Sequence, residues 1–319
     1  MIHRSLSILL IYACCLLNGV AQAPDHLDTI TIDSDLVNLN VSVFNRKASK
    51  DVPALLQKDF RVFENGSQQD ISFFASTEAP FDLVLLLDLS GSTANKIDLI
   101  RKSSKRFVDA ARSNDRIAVF TFTSEIQAVA QLTSDHEALK KSIDKIEKPN
   151  GGTNFWDALR FVIEHVLGQS RAERRRSAVV VMTDGVDNAL PGVLGDGSVT
   201  SFEGLMGVVR RFDTIVLPIY LDTEKEANYH STPQSAYVMA REQLTQLASE
   251  SGNLVYRARK VKDLEGLYPQ VIHELSTVYS LGYRSTNPAR DGSWRTVTVE
   301  LTDHPELAVR SKRGYYALR

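Results

Sequence analysis

The 319-residue sequence predicts an α/β protein: a doubly wound, mostly parallel sheet with an antiparallel edge strand, inserted in a small β-sandwich made from both chain ends. Three observations predict it. Short, wholly apolar runs alternate with amphipathic stretches through the middle of the chain, as strands covered on both faces by helices require. Both ends instead show period-two alternation, the pattern of half-buried strands. Neither end holds enough strands for a stable sheet alone, so the two are expected to pair. The expected divisions are residues 24–78 and 276–319 for the two halves of the sandwich and 79–275 for the unit between them.

The first 23 residues, MIHRSLSILLIYACCLLNGVAQA, have a basic start, a short apolar stretch and small residues at Ala21 and Ala23, the plan of a secretory signal peptide. The apolar stretch falls short of the roughly 20 residues of a membrane span. Cleavage after Ala21 or after Ala23 fits, and an exported protein is expected, whether periplasmic, surface-bound or secreted. Cys14 and Cys15 both lie in this leader, which leaves the mature chain without a disulfide, a thiolate nucleophile or a cysteine-ligated metal. The alternative use of Cys14 or Cys15 is a lipid anchor, since IYAC loosely resembles the approach to a lipoprotein cleavage site.

In LVNLNVSVF, Val37, Leu39, Val41 and Val43 alternate with Asn38, Asn40 and Ser42, and FRVFENGSQQDISFF offers two strand-like runs around the hairpin signal Asn65-Gly66. The middle then supplies FDLVLLLD, RIAVFTFT, SAVVVMTD, DTIVLPIYLD and NLVYRA as buried strands. Helical stretches separate most of them: KIDLIRKSSKRFVDAAR, HEALKKSIDKIE, NFWDALRFVIEHVLG and YVMAREQLTQLASES. EIQAVAQLT follows FTFTS too closely for a crossover helix, so that pair is expected to be an antiparallel hairpin at the sheet edge. LPGVLGDGSVT is the main glycine-rich loop. At the far end, YSLGYRS and RTVTVELTD alternate around NPARDGSW.

A formal net charge of -2 provides no general attraction to nucleic acid or anionic lipid. The basic run RAERRR is local and reads as a solvated turn between a helix and a strand.

Ligands of an open parallel sheet bind outside the carboxyl ends of its strands, where strand order reverses. Asp88 follows LVLLL and Asp184 follows VVVMT, so two carboxylates reach one rim if the first and fourth strands are neighbours. Ser90 and Ser92 lie on the loop after Asp88, and Thr153 lies in NGGTN ahead of the helix that leads into the fourth strand. Close carboxylates repel, which raises a pKa or requires a cation. Carboxylates joined only by hydroxyls form a hard, all-oxygen donor set suited to Mg²⁺, with Mn²⁺ or Ca²⁺ as alternatives.

DLSGS with Asp88, Ser90 and Ser92, GGTNFWDAL with Thr153 and MTDGVDN with Asp184 together resemble the metal-ion-dependent adhesion site of von Willebrand factor type A domains. The resemblance covers about residues 82–272 and implies that family's Rossmann-like fold. The flanks, LLQKDFRVFENGSQQDISFF and YSLGYRS, resemble a secreted bacterial, acidobacterial-type subfamily with β-rich flanking segments. It implies that Asp88, Ser90, Ser92, Thr153 and Asp184 bind a divalent cation, directly or through water. It also implies that an Asp or Glu carboxylate of a partner protein completes the coordination, in adhesion or envelope assembly, with no reaction.

Taken singly, the same residues have plainer uses: Asp88 and Ser90 as helix caps, Thr153 or Asn154 as the cap of the next helix. Asp187 and Asn188 are expected to shape the turn after Asp184, Glu125 to sit solvated at the hairpin tip, and Trp156 to face the core. Tyr229, His230 and Tyr237 sit in or beside TEKEANYHSTPQSAY, on the same rim, where they could contribute to partner choice. Two rival functions remain: an assembly scaffold with the metal as a structural staple, and a metal-dependent hydrolase or phosphotransferase using Asp88. No GxSxG elbow is present, and no His, Lys or Cys is placed near Asp88 to serve an enzyme.

Overall fold

The computed structural model describes residues 36–47, 52–147, 151–168, 175–224, 232–258 and 261–318. The leader with Cys14 and Cys15, and the loop positions Tyr229 and His230, lie outside the described residues. Among the described residues no helix is long and apolar enough to cross a membrane.

The chain opens with strands β1 (Leu36–Asn45), β2 (Phe60–Glu64), β3 (Ser67–Gln69) and β4 (Ile71–Ala75). Asn65 and Gly66, at φ 47° and 82°, form the two-residue turn between β2 and β3; this left-handed pair matches the twist of a hairpin. The run after Gly66 then divides at Asp70, because β3 stays beside β2 while β4 crosses to the other sheet.

The central unit follows: β5 (Phe81–Asp88), α1 (Ile97–Ala110), β6 (Arg116–Phe122), β7 (Ile126–Thr133), α2 (His136–Asp144), α3 (Phe155–Phe161), β8 (Arg176–Thr183), α4 (Phe202–Arg211), β9 (Ile215–Leu221), α5 (Gln234–Glu250), β10 (Tyr256–Ala258) and α6 (Val261–Ser276). Its sheet runs in the order β10-β9-β8-β5-β6-β7. Every pairing is parallel except β6 with β7, the edge hairpin expected from the short FTFTS connection. All eight residues of β5 are buried. Leu83, Leu85 and Leu87 pack with Ile100 and Phe107 of α1 and Val271 of α6, whereas Val84 and Leu86 pack with Leu159 of α3, Leu205 of α4 and Leu244 of α5. Two helices stand beyond those marked by the sequence patterns. Helix α4 is capped by Ser201, whose hydroxyl accepts from Gly204 N at 3.1 Å, and α6 carries Gly266 and Pro269 within its span.

The chain closes with β11 (Val278–Arg284), β12 (Trp294–Leu301), β13 (Leu307–Arg310) and β14 (Gly314–Tyr316). The two outer sheets are ordered β13-β1-β11-β4 and β14-β12-β2-β3, so each draws strands from both ends of the chain. Leu39 and Val41 of β1, Val62 of β2, Tyr279 and Leu281 of β11 and Val299 of β12 share one buried cluster, which makes the pair a sandwich. Inside it the Glu64 carboxylate accepts hydrogen bonds from Tyr283 Oη at 2.9 Å, Tyr315 Oη at 2.8 Å and Ser285 Oγ at 2.6 Å, and pairs with Arg295 at 3.3 Å. Burial alone would raise this carboxyl; the hydroxyl donors and the Arg295 charge outweigh burial and hold it below its ordinary value.

The end of the basic run corrects the expectation of a solvated turn. Arg176 is only 5% exposed, and its guanidinium donates to the carbonyls of Thr77 (2.9 Å), Ala79 and Val278 while stacking 4.1 Å above the Phe81 ring. Those carbonyls lie where the chain enters and leaves the central unit. Arg175 donates to Asp82 Oδ1 at 2.6 Å, and Arg116 takes the same fully buried carboxylate bidentately. Arg175 and Arg176 thus serve to neutralise the buried Asp82 and to satisfy carbonyls at this junction.

Candidate functional site

After β5 the chain turns one way to β6, and after β8 the other way to β9, so strand order reverses between the neighbours β5 and β8. Asp88 ends β5 and Asp184 directly follows β8. Both side chains are buried, at 0% and 1% exposure.

Four of the five residues singled out from the sequence form one hydrogen-bonded cluster. Asp88 Oδ1 accepts from Ser90 N at 2.9 Å, a local turn that stops the strand and aims the next residues back over the rim. The Ser90 and Ser92 hydroxyls are 3.2 Å apart, and Ser92 Oγ donates to Asp184 Oδ2 at 2.6 Å. Thr93 Oγ1 locks the loop from below by donating to the carbonyls of Asp88 and Ser90, at 2.8 and 3.0 Å.

Thr153, the fifth residue, comes from a separate loop and lines the same cavity of about 270 Å³ as Ser92 and Asp184. Its position is set by the turn after β8. Thr153 N donates to Asn188 Oδ1 at 3.2 Å, and Asn188 N donates back to the Thr153 carbonyl at 2.9 Å. Gly152 allows this approach, since a Cβ there would sit 2.4 Å from Asn188 Nδ2. Asp187 and Asn188 therefore shape the turn, as the sequence implied, and also tie it to the start of α3: Asp187 Oδ2 accepts from Trp156 N at 3.0 Å.

The plainer capping uses are not realised through side chains. Neither Ser90 nor Asn154 makes a side-chain cap hydrogen bond to the helical segment it precedes. Glu125 lies exposed in the β6–β7 turn, and Trp156 is buried against Phe202 with ring centroids 5.9 Å apart.

Sequence reasoning missed two supporting groups. Thr183 Oγ1 donates to Asp88 Oδ2 at 2.6 Å, and Thr223 Oγ1, just beyond β9, donates to Asp184 Oδ2 at 2.8 Å. Tyr237, which the sequence placed on this rim, is 5% exposed, hydrogen-bonds with Thr223 and Thr232 and lines the cavity. A usable signal existed for Thr183, which ends the apolar strand β8 on the same rim as the carboxylates.

Burial, with the neighbouring Asp184 charge second, pushes the Asp88 carboxyl up to about 7. Burial also raises Asp184, against the Ser92 and Thr223 hydroxyls and Val186 N, which favour its ionised form. Burial and mutual repulsion thus oppose ionisation of the pair, and a bound cation would reverse that by favouring both charged forms. Two buried carboxylates with three nearby hydroxyls fit a hard divalent cation, whose oxygen ligands these are. Among the described residues no group of three or more His, Cys, Asp or Glu side chains is placed to hold a metal, so a soft or nitrogen-rich centre has no such cluster to use.

The family model for the von Willebrand factor type A domain matches residues 82–270. An uncharacterized protein of Borreliella burgdorferi is 28% identical over 116 residues, which are 34% of this chain and 33% of that protein. Proximal thread matrix protein 1 from the mussel byssus, solved with a zinc-occupied MIDAS motif, is 20% identical with a TM-score of 0.48, covering 65% of this chain and 48% of its own. An aerotolerance-related membrane protein from Bacteroides fragilis is 16% identical with a TM-score of 0.45, covering 60% and 98%. The chain thus spans about a third of the curated relative and about half of the mussel protein. With the matched residues containing the whole reversed-order sheet and both carboxylates on its rim, the chain belongs to the von Willebrand factor type A domain family of protein-interaction modules.

Proposed function

We propose that the protein is an exported, divalent-cation-dependent binding module acting in adhesion or envelope assembly, with Asp88, Ser90, Ser92, Thr153 and Asp184 as its cation ligands. The observation that carries this reading is the bridge Ser90 Oγ–Ser92 Oγ–Asp184 Oδ2, which draws residues of two distant loops together beside the buried Asp88. Mg²⁺ is the favoured ion, with Mn²⁺ or Ca²⁺ as alternatives, because every donor is a hard oxygen. When bound, the ion supplies a positive centre able to accept an oxygen from an Asp or Glu of a partner protein. The chain's own part is to orient the two carboxylates and keep the hydroxyls pointed at one place, through Thr183 on Asp88 and Thr223 on Asp184, whose hydrogen bonds partly offset the effect of burial.

Asp88 is poorly arranged for nucleophilic or general-base work. One of its oxygens accepts from Ser90 N, the other from Thr183 Oγ1, and the side chain is fully buried. Export rests on the leader-like first 23 residues.

The test is capture of envelope proteins on the immobilised chain. Proteins retained in Mg²⁺, released by EDTA and absent with Asp184→Ala are the expected result; retention indifferent to EDTA contradicts cation-dependent binding.

A further inference from the structure

The cavity beside the proposed cation ligands has a second set of walls. Besides Ser92, Thr153 and Asp184 it is lined by Val193 and Leu194 of the glycine-rich loop and by Tyr237 of α5. Leu194 is 74% exposed, on a loop that is otherwise firmly held. Asp187 Oδ1 accepts from Ala189 N and Ser198 N at 2.9 and 3.0 Å, and its Oδ2 accepts from Ser198 Oγ at 2.7 Å. The Asp157 carboxylate accepts from Val199 N and Thr200 N, each at 2.8 Å, and Leu190 is buried beneath. Both ends of the loop are therefore fixed to the turn after β8 and to α3. An aliphatic side chain kept in water on a preorganised loop costs free energy that burial by a partner would recover, with little ordering to offset it.

Size and charge narrow the occupant. At about 270 Å³ the cavity lies just under the range of drug-sized ligand sites, which starts near 300 Å³, and equals roughly nine waters at about 30 Å³ each. That suits a pair of amino-acid side chains better than a cofactor. Among the described residues no Lys or Arg lines it, and Asp184 is the one charged residue in its wall.

We propose that this cavity is a two-part subsite that takes an acidic side chain of a protein partner together with an aliphatic or aromatic side chain adjacent to it in the partner's sequence. The acidic half rests on the cation-dependent reading above; the apolar half is specified by Val193, Leu194 and Tyr237.

The experiment pans a random heptapeptide phage library on the immobilised full chain in Mg²⁺ and elutes with EDTA. Eluted peptides are expected to be enriched in Asp or Glu with Leu, Ile, Phe or Met within two positions. Leu194→Ser is expected to retain the acid and lose the apolar preference, while calorimetry shows Mg²⁺ bound as in the unmodified chain, which separates a lost subsite from a lost fold. A synthetic peptide carrying Leu beside the acid is expected to bind about tenfold tighter than its Ser counterpart, the worth of one partly buried aliphatic side chain. Acid enriched with random neighbours overturns the subsite and leaves carboxylate capture standing. Equal apolar enrichment on the chain and on Leu194→Ser overturns the assignment to the loop. No enrichment of acid overturns carboxylate capture itself, and the subsite with it.

Discussion

The Ser92 hydroxyl donates a 2.6 Å hydrogen bond to the Asp184 carboxylate, joining two loops 92 residues apart in the chain. This contact joins the rim between β5 and β8 and sets a hydroxyl oxygen beside the carboxylate, where it would serve the proposed cation as a further donor. Ser92→Ala removes that oxygen while leaving the helix behind it intact. Mg²⁺ affinity measured by calorimetry is expected to fall about tenfold or more, the worth of one charge-assisted contact; an unchanged affinity would remove Ser92 from the ligand set.

Thr223 acts through Asp184, which its hydroxyl reaches at 2.8 Å from beyond β9. Thr223→Val preserves shape and deletes the bond. Mg²⁺ affinity is expected to drop about ten- to a hundredfold, as for other partners that orient a metal ligand. The melting temperature of the metal-free protein should move little, which distinguishes a positioning role from general damage to the fold.

Arg176 satisfies carbonyls at both crossings between the sandwich and the central unit. Arg176→Ala takes this donor from the Ala79 and Val278 carbonyls, while Thr77 O keeps its bond from Arg112 Nη1 at 2.7 Å, and urea unfolding is expected to show a loss of about 2–4 kcal/mol. A loss within about 0.5 kcal/mol, typical of a surface substitution, would mean that the junction is wetter than the structure shows.

Glu64 governs a pH effect remote from the cation site. Its folded carboxyl is held below the ordinary value of 4.5, because the Ser285, Tyr315 and Tyr283 hydroxyls and Arg295 together outweigh the opposing effect of burial. A depressed folded pKa contributes stability that is present above 4.5 and lost as pH falls through the folded value. Glu64→Gln is expected to lower stability near pH 7 and to flatten the loss below pH 4.5, as followed by chemical denaturation across that range. Parallel pH curves for the two proteins would show that Glu64 does not titrate into the transition.

Much of this site was legible because burial dictates it. The apolar run Leu83–Leu87 of β5 is covered on both faces, so the polar residue that ends it, Asp88, falls at the rim; the same logic places Asp184 just after β8. The β6–β7 hairpin was legible from the shortness of its connection, and the β2–β3 turn from Asn65-Gly66. Helices α4 and α6 were not, since Gly204, Gly207, Gly266 and Pro269 weaken local helical preference and packing against the sheet overrides it. Thr223 was hidden because its partner lies 39 residues away. Arg176 was hidden for the same reason: the Val278 carbonyl lies 102 residues on, and a basic run without its partners looks solvated.

The central claim is that Asp88 and Asp184 jointly hold a divalent cation, and titration calorimetry with Mg²⁺ tests it most directly. The protein is expected to bind one ion per chain, with Asp88→Ala and Asp184→Ala each weakening binding strongly while circular dichroism shows the fold retained. Equal affinity in folded mutants, or no heat of binding in the unmodified protein for Mg²⁺, Mn²⁺ or Ca²⁺, would contradict it.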